Sequence, residues 1–274
     1  MTQILVRACR FFISPGGAGQ RMKTLLTTAL PVLLLAASAT CAETQPARQL
    51  PGPGVADPAG KTGFFPGVDG GINAVDLSNG KLLWHSKEAA KPLLATADRL
   101  FSEKGVTGKP NQIRIVVLDL TKEGKRVLES EPVSLPDWVS VQVAYGRSYR
   151  SSSRLDGNML LVSWEARAFY AGGAAPAPGM EEAARKEASG VIRMEIATGK
   201  CALPGKDNKG DAVVIRDEIN SVKIGDTTLS VEDGPAKNGR NPFQQQRSVQ
   251  ARNAAKAIVW QHAMAAPVFL MPLP

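Results

Sequence analysis

Residues 72–86 read INAVDLSNGKLLWHS. An apolar run (Ile72, Ala74, Val75, Leu77) leads into the polar stretch Ser78, Asn79, Gly80 and Lys81, and a second run follows at Leu82, Leu83 and Trp84. Asn-Gly between two hydrophobic runs is a strong hairpin signal, because both residues tolerate the positive φ that a tight strand reversal demands. The stretch therefore predicts two antiparallel strands joined at Asn79-Gly80.

The pattern returns three times. Residues 113–130, IRIVVLDLTKEGKRVLES, place Asp119-Leu120 and Gly124-Lys125 where Asp76-Leu77 and Gly80-Lys81 stood, with one extra turn residue. Residues 191–200, VIRMEIATGK, repeat it around Gly199-Lys200. In residues 248–262, SVQARNAAKAIVWQH, the segment Asn253-Ala254-Ala255-Lys256 replaces the Gly-Lys turn and Trp260 takes the position of Trp84. Asp76 and Asp119 lie 43 residues apart. A period in the low forties with about four strands per unit is the signature of β-propeller blades. Further strands are expected at 64–65, 93–96, 100–102, 138–143, 159–170, 212–215, 221–224 and 228–231, and two helical turns at 180–188. The expected fold is all-β, with about four recognisable four-stranded blades. Four blades leave two ways to close, as one small ring or by pairing with a second copy, since an open array leaves β edges that need cover.

Outside the repeats the chain changes character. Lys23 precedes the uncharged run TLLTTALPVLLLAASA at 24–39, which ends in small-residue cleavage sites at Ala39 and Ala42. That run is shorter than the ~20 residues of a membrane span, and Pro31 interrupts it, so residues 1–42 read as an N-terminal extension and a cleaved signal peptide beginning near Met22. The expected location is periplasmic or secreted, with no membrane span after cleavage. Residues 43–62, rich in Pro, Gly and Ala, are expected to be a flexible linker, and 63–274 the propeller domain. Of the 33 Lys and Arg, four (Arg7, Arg10, Arg21, Lys23) fall in the leader, leaving 29 against 25 acids. A mature charge of +4 with no clustered stripe does not describe a nucleic-acid binder. Only Cys201 of the three cysteines follows the leader, so the exported domain must be held by its core and not by an internal disulfide.

The set Ala74, Asp76, Asn79, Gly80 and Trp84 resembles the Ala-x-Asp-x-x-Thr/Asn-Gly-x-x-x-Trp blade signature of the PQQ-like, or quinoprotein-dehydrogenase-like, β-propeller repeats, a blade type close in outline to WD40. The likeness fades along 63–262. The second and third copies keep the acid and the Gly-Lys but not the Trp, and the fourth keeps the Trp alone. Asp76, Gly80, Trp84, Asp119, Gly124, Gly199 and Trp260 are thereby expected to be structural, the glycines for positive φ and the tryptophans for filling between blades. The family's dehydrogenases seat their quinone under an adjacent-cysteine disulfide, and the single remaining Cys201 gives no such disulfide. No cofactor is expected.

Other chemistry is sparse. His85 and His262 each follow a signature tryptophan, on blades whose geometry is expected to hold them apart, and no HExxH or CxxC is present, so no metal site is expected. Gly67 to Gly71 is Gly-rich but precedes a strand, whereas a phosphate cradle opens a helix. The stretch YGRSYRSSSR at 145–154 reads as a loop, and Tyr145, Arg147, Tyr149, Arg150 and Arg154 are its candidate contacts for an anionic glycan or another envelope protein. The polar segment 238–247 is a second loop of this kind. These readings together predict an exported non-catalytic propeller serving as a protein- or ligand-binding or assembly module in the cell envelope, as a monomer or a homodimer. The alternative is a degenerate redox or glycan-acting enzyme with a site in the central channel, for which Asp69, Glu165 and Asp233 would have to converge.

Overall fold

The computed structural model describes residues 48–141, 147–168, 186–203, 214–215, 217–234 and 247–265. The leader, Tyr145 and most of the 180–188 segment lie outside them. Four antiparallel sheets follow one another along the chain, each in simple up-and-down order. The first holds β1 (Val55–Ala56), β2 (Thr62–Pro66), β3 (Ile72–Asp76) and β4 (Leu82–Ser86). The second holds β5 (Lys91–Ala95), β6 (Arg99–Val106), β7 (Lys109–Asp119) and β8 (Lys125–Glu129), with the short β9 (Val133–Ser134) added on β7. The third comprises β10 (Arg147–Asp156), β11 (Met159–Ala168), β12 (Glu187–Glu195) and β13 (Cys201–Ala202). The fourth comprises β14 (Ser221–Ile224), β15 (Thr227–Asp233), β16 (Arg247–Arg252) and β17 (Ile258–Met264). A single 3-10 turn, Leu120–Lys122, is the only helical piece among the described residues, and no helix there is long and apolar enough to cross a membrane. The sheets are the blades of a four-bladed β-propeller.

The first strands of the first three sheets lie toward the axis: β1 packs against β5, and β5 against β10. The last strand lies at the rim, where Leu82, Leu83, Val127, Ile258 and Val259 are each about half exposed. Strand alternation turns one face of a blade to the preceding blade and the other to the next. Adjacent residues of β2 show this. Phe64 joins Ile72, Ala74, Leu100, Val116 and Leu118 between the first and second blades, while Phe65 joins Val75, Leu229, Val249 and Ala251 between the first and fourth. A third core, with Phe101, Ile115, Val117, Leu160, Val162 and Ile192, fills the gap between the second and third. Both phenylalanines are fully buried, worth about 2–3 kcal/mol each. Among the described residues no such core spans the third and fourth blades. There the facing surfaces carry Arg150, Ser152 and Glu165 with the buried Leu161, Ser163 and Val191 on one side, and Thr228, Ser230, Gln250 and Arg252 with the buried Ser248 on the other.

A second set of contacts links the blades at their turns. Trp84 of the first blade lies on Gly124 of the second, so close that a Cβ on that glycine would sit 2.4 Å from the ring. Leu128 of the second blade covers Gly199 of the third in the same way. Trp260 of the last blade covers Gly80 of the first, where a Cβ would meet the ring at 2.6 Å, and its Nε1 donates to the Leu77 carbonyl at 3.2 Å. Each anchor stands four residues after the positive-φ residue of its own turn, Gly80, Gly124 or Lys256, so the repeat spacing itself sets the docking. Because the last anchor lands on the first turn, the ring closes within one chain and needs no second copy for closure. The third blade departs from the scheme. Leu203, at the anchor spacing, is half exposed, and the fourth-blade turn carries Lys256 at φ 62°, a left-handed conformation otherwise taken there by glycine.

Three expectations are corrected. The linker expectation ends too late: Leu50 and Ala56 are fully buried and β1 pairs with β2, so the first blade begins at Val55 and not at Gly63. The apolar content of that stretch is small, but Leu50, Val55 and Ala56 suffice to fill the axis end of a blade. The strand expected from Trp138 is absent as far as Val141; Val139 donates back to the Pro136 carbonyl in a turn, with Val139 and Val141 buried. Residues 147–154, expected as a loop, form most of the innermost strand of the third blade. Seven of the eight residues are Arg or Ser, so no apolar alternation marks the strand.

Candidate functional site

The repeat residues shape turns. Asp76 Oδ1 accepts from the Ser78 amide at 2.8 Å and the Ser78 hydroxyl at 2.6 Å, and its Oδ2 accepts from Asn79 Nδ2 at 3.0 Å. The Ser78 bonds hold its carboxyl below the usual carboxylate range. Asp119 does the same with Thr121, at 2.9 and 2.6 Å, and is likewise lowered, by the Thr121 hydroxyl first. Asn253 Oδ1 accepts from the Ala257 amide at 3.0 Å, so the fourth turn keeps the cap without the acid. Gly80, Gly124 and Gly199 receive Trp260, Trp84 and Leu128 respectively.

The functional-looking chemistry gathers elsewhere, on the inner strands. The strand registers put the β2–β3 and β6–β7 loops at the opposite end of the blades from the Gly-Lys turns. Near that end Lys91 of β5 stands directly across from Glu103 of β6. Glu103 is fully buried. Its Oε1 accepts from the Tyr149 hydroxyl at 3.0 Å, its Oε2 from the Ser151 hydroxyl at 2.8 Å, and Lys91 Nζ lies 3.8 Å away while donating to Ser151 at 2.8 Å. The ammonium also sits 5.8 Å from the centre of the Tyr149 ring. Burial, then the Glu103 charge, pushes the Tyr149 phenol well above its ordinary value, so it stays protonated as the donor. This network pins the second blade to the third. No motif announces it, though Glu103 falls at an inward position of an alternating strand, two residues after Phe101, and that placement was the available signal.

Of the five candidate contacts at 145–154, Tyr149 is therefore turned into the protein. Arg147 is in β10, and Tyr145 is outside the described residues. Arg150 and Arg154 project from the opposite face. Arg150 binds Glu165, with Nε at 2.7 Å from Oε1, and also Asp217, which leads into the fourth blade. The Glu165 bond is the main reason its guanidinium is held more firmly protonated than usual. Gln49 Nε2 donates to the Asp217 carbonyl at 3.0 Å, so the approaches to the first and fourth blades meet here. Arg154 is 45% exposed and 3.9 Å from Asp156.

The two histidines were expected to be held apart; one side chain joins them. Asn73, almost wholly buried, donates from Nδ2 to His262 Nε2 at 3.0 Å and accepts on Oδ1 from His85 Nδ1 at 2.7 Å, while His85 Nε2 lies 3.6 Å from Asp69. The reason is closure: the last blade sits beside the first. Among the described residues no group of three or more His, Cys, Asp or Glu is placed to hold a metal ion. Burial lowers the His262 pKa from its ordinary 6.5, and the Asn73 bond needs its Nε2 unprotonated. The unfolded chain thus binds a proton that the fold does not between the lowered value and 6.5. Stability is expected to fall as pH drops below about 6.5 and to level off below the folded value. Denaturation midpoints across that range, compared with His262→Gln, check this; an unchanged pH slope in the variant counts against it.

Glu165 and Asp233 are each engaged by an arginine of their own blade, Arg150 and Arg247, the latter at 3.0 Å, and Asp69 lies 3.6 Å from His85 Nε2 of its own blade. No described contact brings the three carboxylates together. Cys201 is a free cysteine whose thiol is pushed up, first by burial.

The strands, their order and the inter-blade cores define a four-bladed β-propeller. No family model matches the chain, and no curated protein does. Among solved structures it is similar to a europium-containing methanol dehydrogenase, at 13% identity over 76% of this chain and 61% of that one, with a TM-score of 0.24. It is also similar to the WD40 domain of SCAP from fission yeast, at 12% identity over 76% and 50%, with a TM-score of 0.21. The chain thus spans about three fifths and one half of the lengths of these two.

Proposed function

We propose that this protein is an exported, non-catalytic propeller of PQQ-like blades that serves as a binding or assembly module in the cell envelope. Export is supported by the leader at 1–42. Binding is supported above all by one observation: two arginines on the innermost strand of the third blade, Arg150 and Arg154, are 43% and 45% exposed on a scaffold held rigid by three inter-blade cores. The enzyme alternative requires Asp69, Glu165 and Asp233 to converge, whereas each lies beside a basic side chain of its own blade.

Two measurements test the reading. Produced in a bacterial host, the full chain is expected in the osmotic-shock fraction with an N-terminus near Glu43; an unprocessed cytosolic product overturns export. Light scattering of the mature chain is expected to give the same mass with and without PQQ plus calcium. A cofactor-dependent change overturns the non-catalytic reading.

A further inference from the structure

We propose that Asn73 is a reversible bridge that passes proton uptake by His262, on the last blade, to His85 on the first, and so fastens the β2–β3 loop through Asp69. This proton-sensitive device lies in the closing seam of the ring and does not depend on what the protein binds.

The seam is pinned on both sides of His262. Trp260 Nε1 donates to the Leu77 carbonyl at 3.2 Å, and the Ala265 amide donates to the Pro66 carbonyl at 3.2 Å. The blades are therefore held at a fixed distance when His262 changes charge, and the amide between the two rings is the part that can turn. At neutral pH its Nδ2 donates to His262 Nε2 and its Oδ1 accepts from His85 Nδ1. With its proton on Nδ1, neutral His85 carries a bare Nε2. That atom is buried with no hydrogen-bond partner, 3.6 Å from the Asp69 carboxylate. A lone pair thus faces an anion, and a buried acceptor goes unmet.

A proton on His262 Nε2 reverses these roles. The new N–H cannot accept from Nδ2, and a half-turn of the carboxamide brings Oδ1 round to accept from it, since the two ends of the amide have nearly the same shape. Nδ2 then donates to His85 Nδ1. That nitrogen gives up its proton and the ring takes one on Nε2 instead, by exchange with solvent at a side chain 24% exposed. One proton is taken up in all, and the orphaned Nε2 gains an N–H aimed at Asp69. The β2–β3 loop is built around this ring: a Cβ on Gly67 or Gly71 would lie 3.2 or 2.9 Å from His85 Cε1. Asp69 is 57% exposed, so its carboxylate has room to close on the new donor. The remaining charges nearby are Arg247, already held by Asp233 at 3.0 Å and Glu218 at 3.9 Å, and the exposed Lys87 just beyond β4.

The test is nitrogen-15 NMR of the histidine rings of the mature chain from about pH 8 to about pH 4.5, a range around the ordinary histidine value. Bare and protonated ring nitrogens resonate far apart. The His85 proton is expected on Nδ1 at the alkaline end and on Nε2 at the acid end, crossing over with the same midpoint as the protonation of His262. Hydrogen-exchange protection of the Gly70 amide, which donates to the Gly67 carbonyl, is expected to rise with that crossover. In His262→Gln the proton should stay on His85 Nδ1 throughout. Asp69→Asn alters an exposed side chain and leaves the fold intact. Because coupling is reciprocal, it should lower the His262 midpoint by roughly half to one pH unit, the worth of one hydrogen bond. A His85 Nδ1 that stays protonated in acid, or an Nε2 that already carries the proton at about pH 8, overturns the proposal. So does a crossover that survives His262→Gln, or a His262 midpoint that Asp69→Asn leaves in place.

Discussion

Trp260→Ala is expected to lower the unfolding free energy by about 3–5 kcal/mol, the range for emptying a buried aromatic site. The ring is 7% exposed, fills the core between the last and first blades, and donates to the Leu77 carbonyl. Its loss would leave a void against Gly80 and an unbonded buried carbonyl, and neither blade could collapse without moving the other. Because the contact joins residues 183 apart in sequence, its loss should also be felt across the whole seam. Hydrogen exchange is expected to quicken in β1–β4 and in β14–β17 together, and less in β10–β12. Gly80→Ala attacks the same contact from the other side, through a residue at φ 74° whose new methyl would overlap the indole. Denaturant midpoints check both substitutions. A loss under 1 kcal/mol in Trp260→Ala would mean that the last blade is not docked on the first.

Glu103→Ala is expected to be equally severe, about 3–5 kcal/mol, because removing one partner strands the others. Lys91, with a side chain only 13% exposed, would keep its charge beside the phenol of Tyr149 with no carboxylate to meet it. The double variant Glu103→Leu with Lys91→Met removes both charges and should recover much of the loss, since buried ion pairs contribute little net stability over apolar groups of similar size. A double-mutant cycle separates the two effects. If the double variant is as unstable as the single one, the hydrogen bonds of Tyr149 and Ser151 and not the charge pair hold the second and third blades together.

The contrast between the two sites explains what could be read in advance. The docking of Trp260 on Gly80 was foreshadowed by local chemistry: a glycine that must take positive φ, a large aromatic at fixed spacing, and a period near forty. The Glu103 network was not, because its members sit on β5, β6 and β10 and only the packing of two blades brings them together. Tyr149 illustrates the difference within a single residue. In YGRSYRSSSR it looks like an exposed contact, and alternation along a strand makes it a buried donor while leaving Arg150 and Arg154 facing out. His85 and His262 stand one and two residues after their tryptophans on separate blades, which implied distance, but ring closure set Asn73 between them.

The strand-turn chemistry, the repeat and therefore the blade are legible in the chain alone, because hairpin geometry depends on φ preferences and alternation within a few residues. The chain alone did not determine where the first blade begins, which seams carry an apolar core, or which arginines face the seam between the third and fourth blades. Those depend on which face of each sheet meets which neighbour, and that is decided only when the last blade closes on the first.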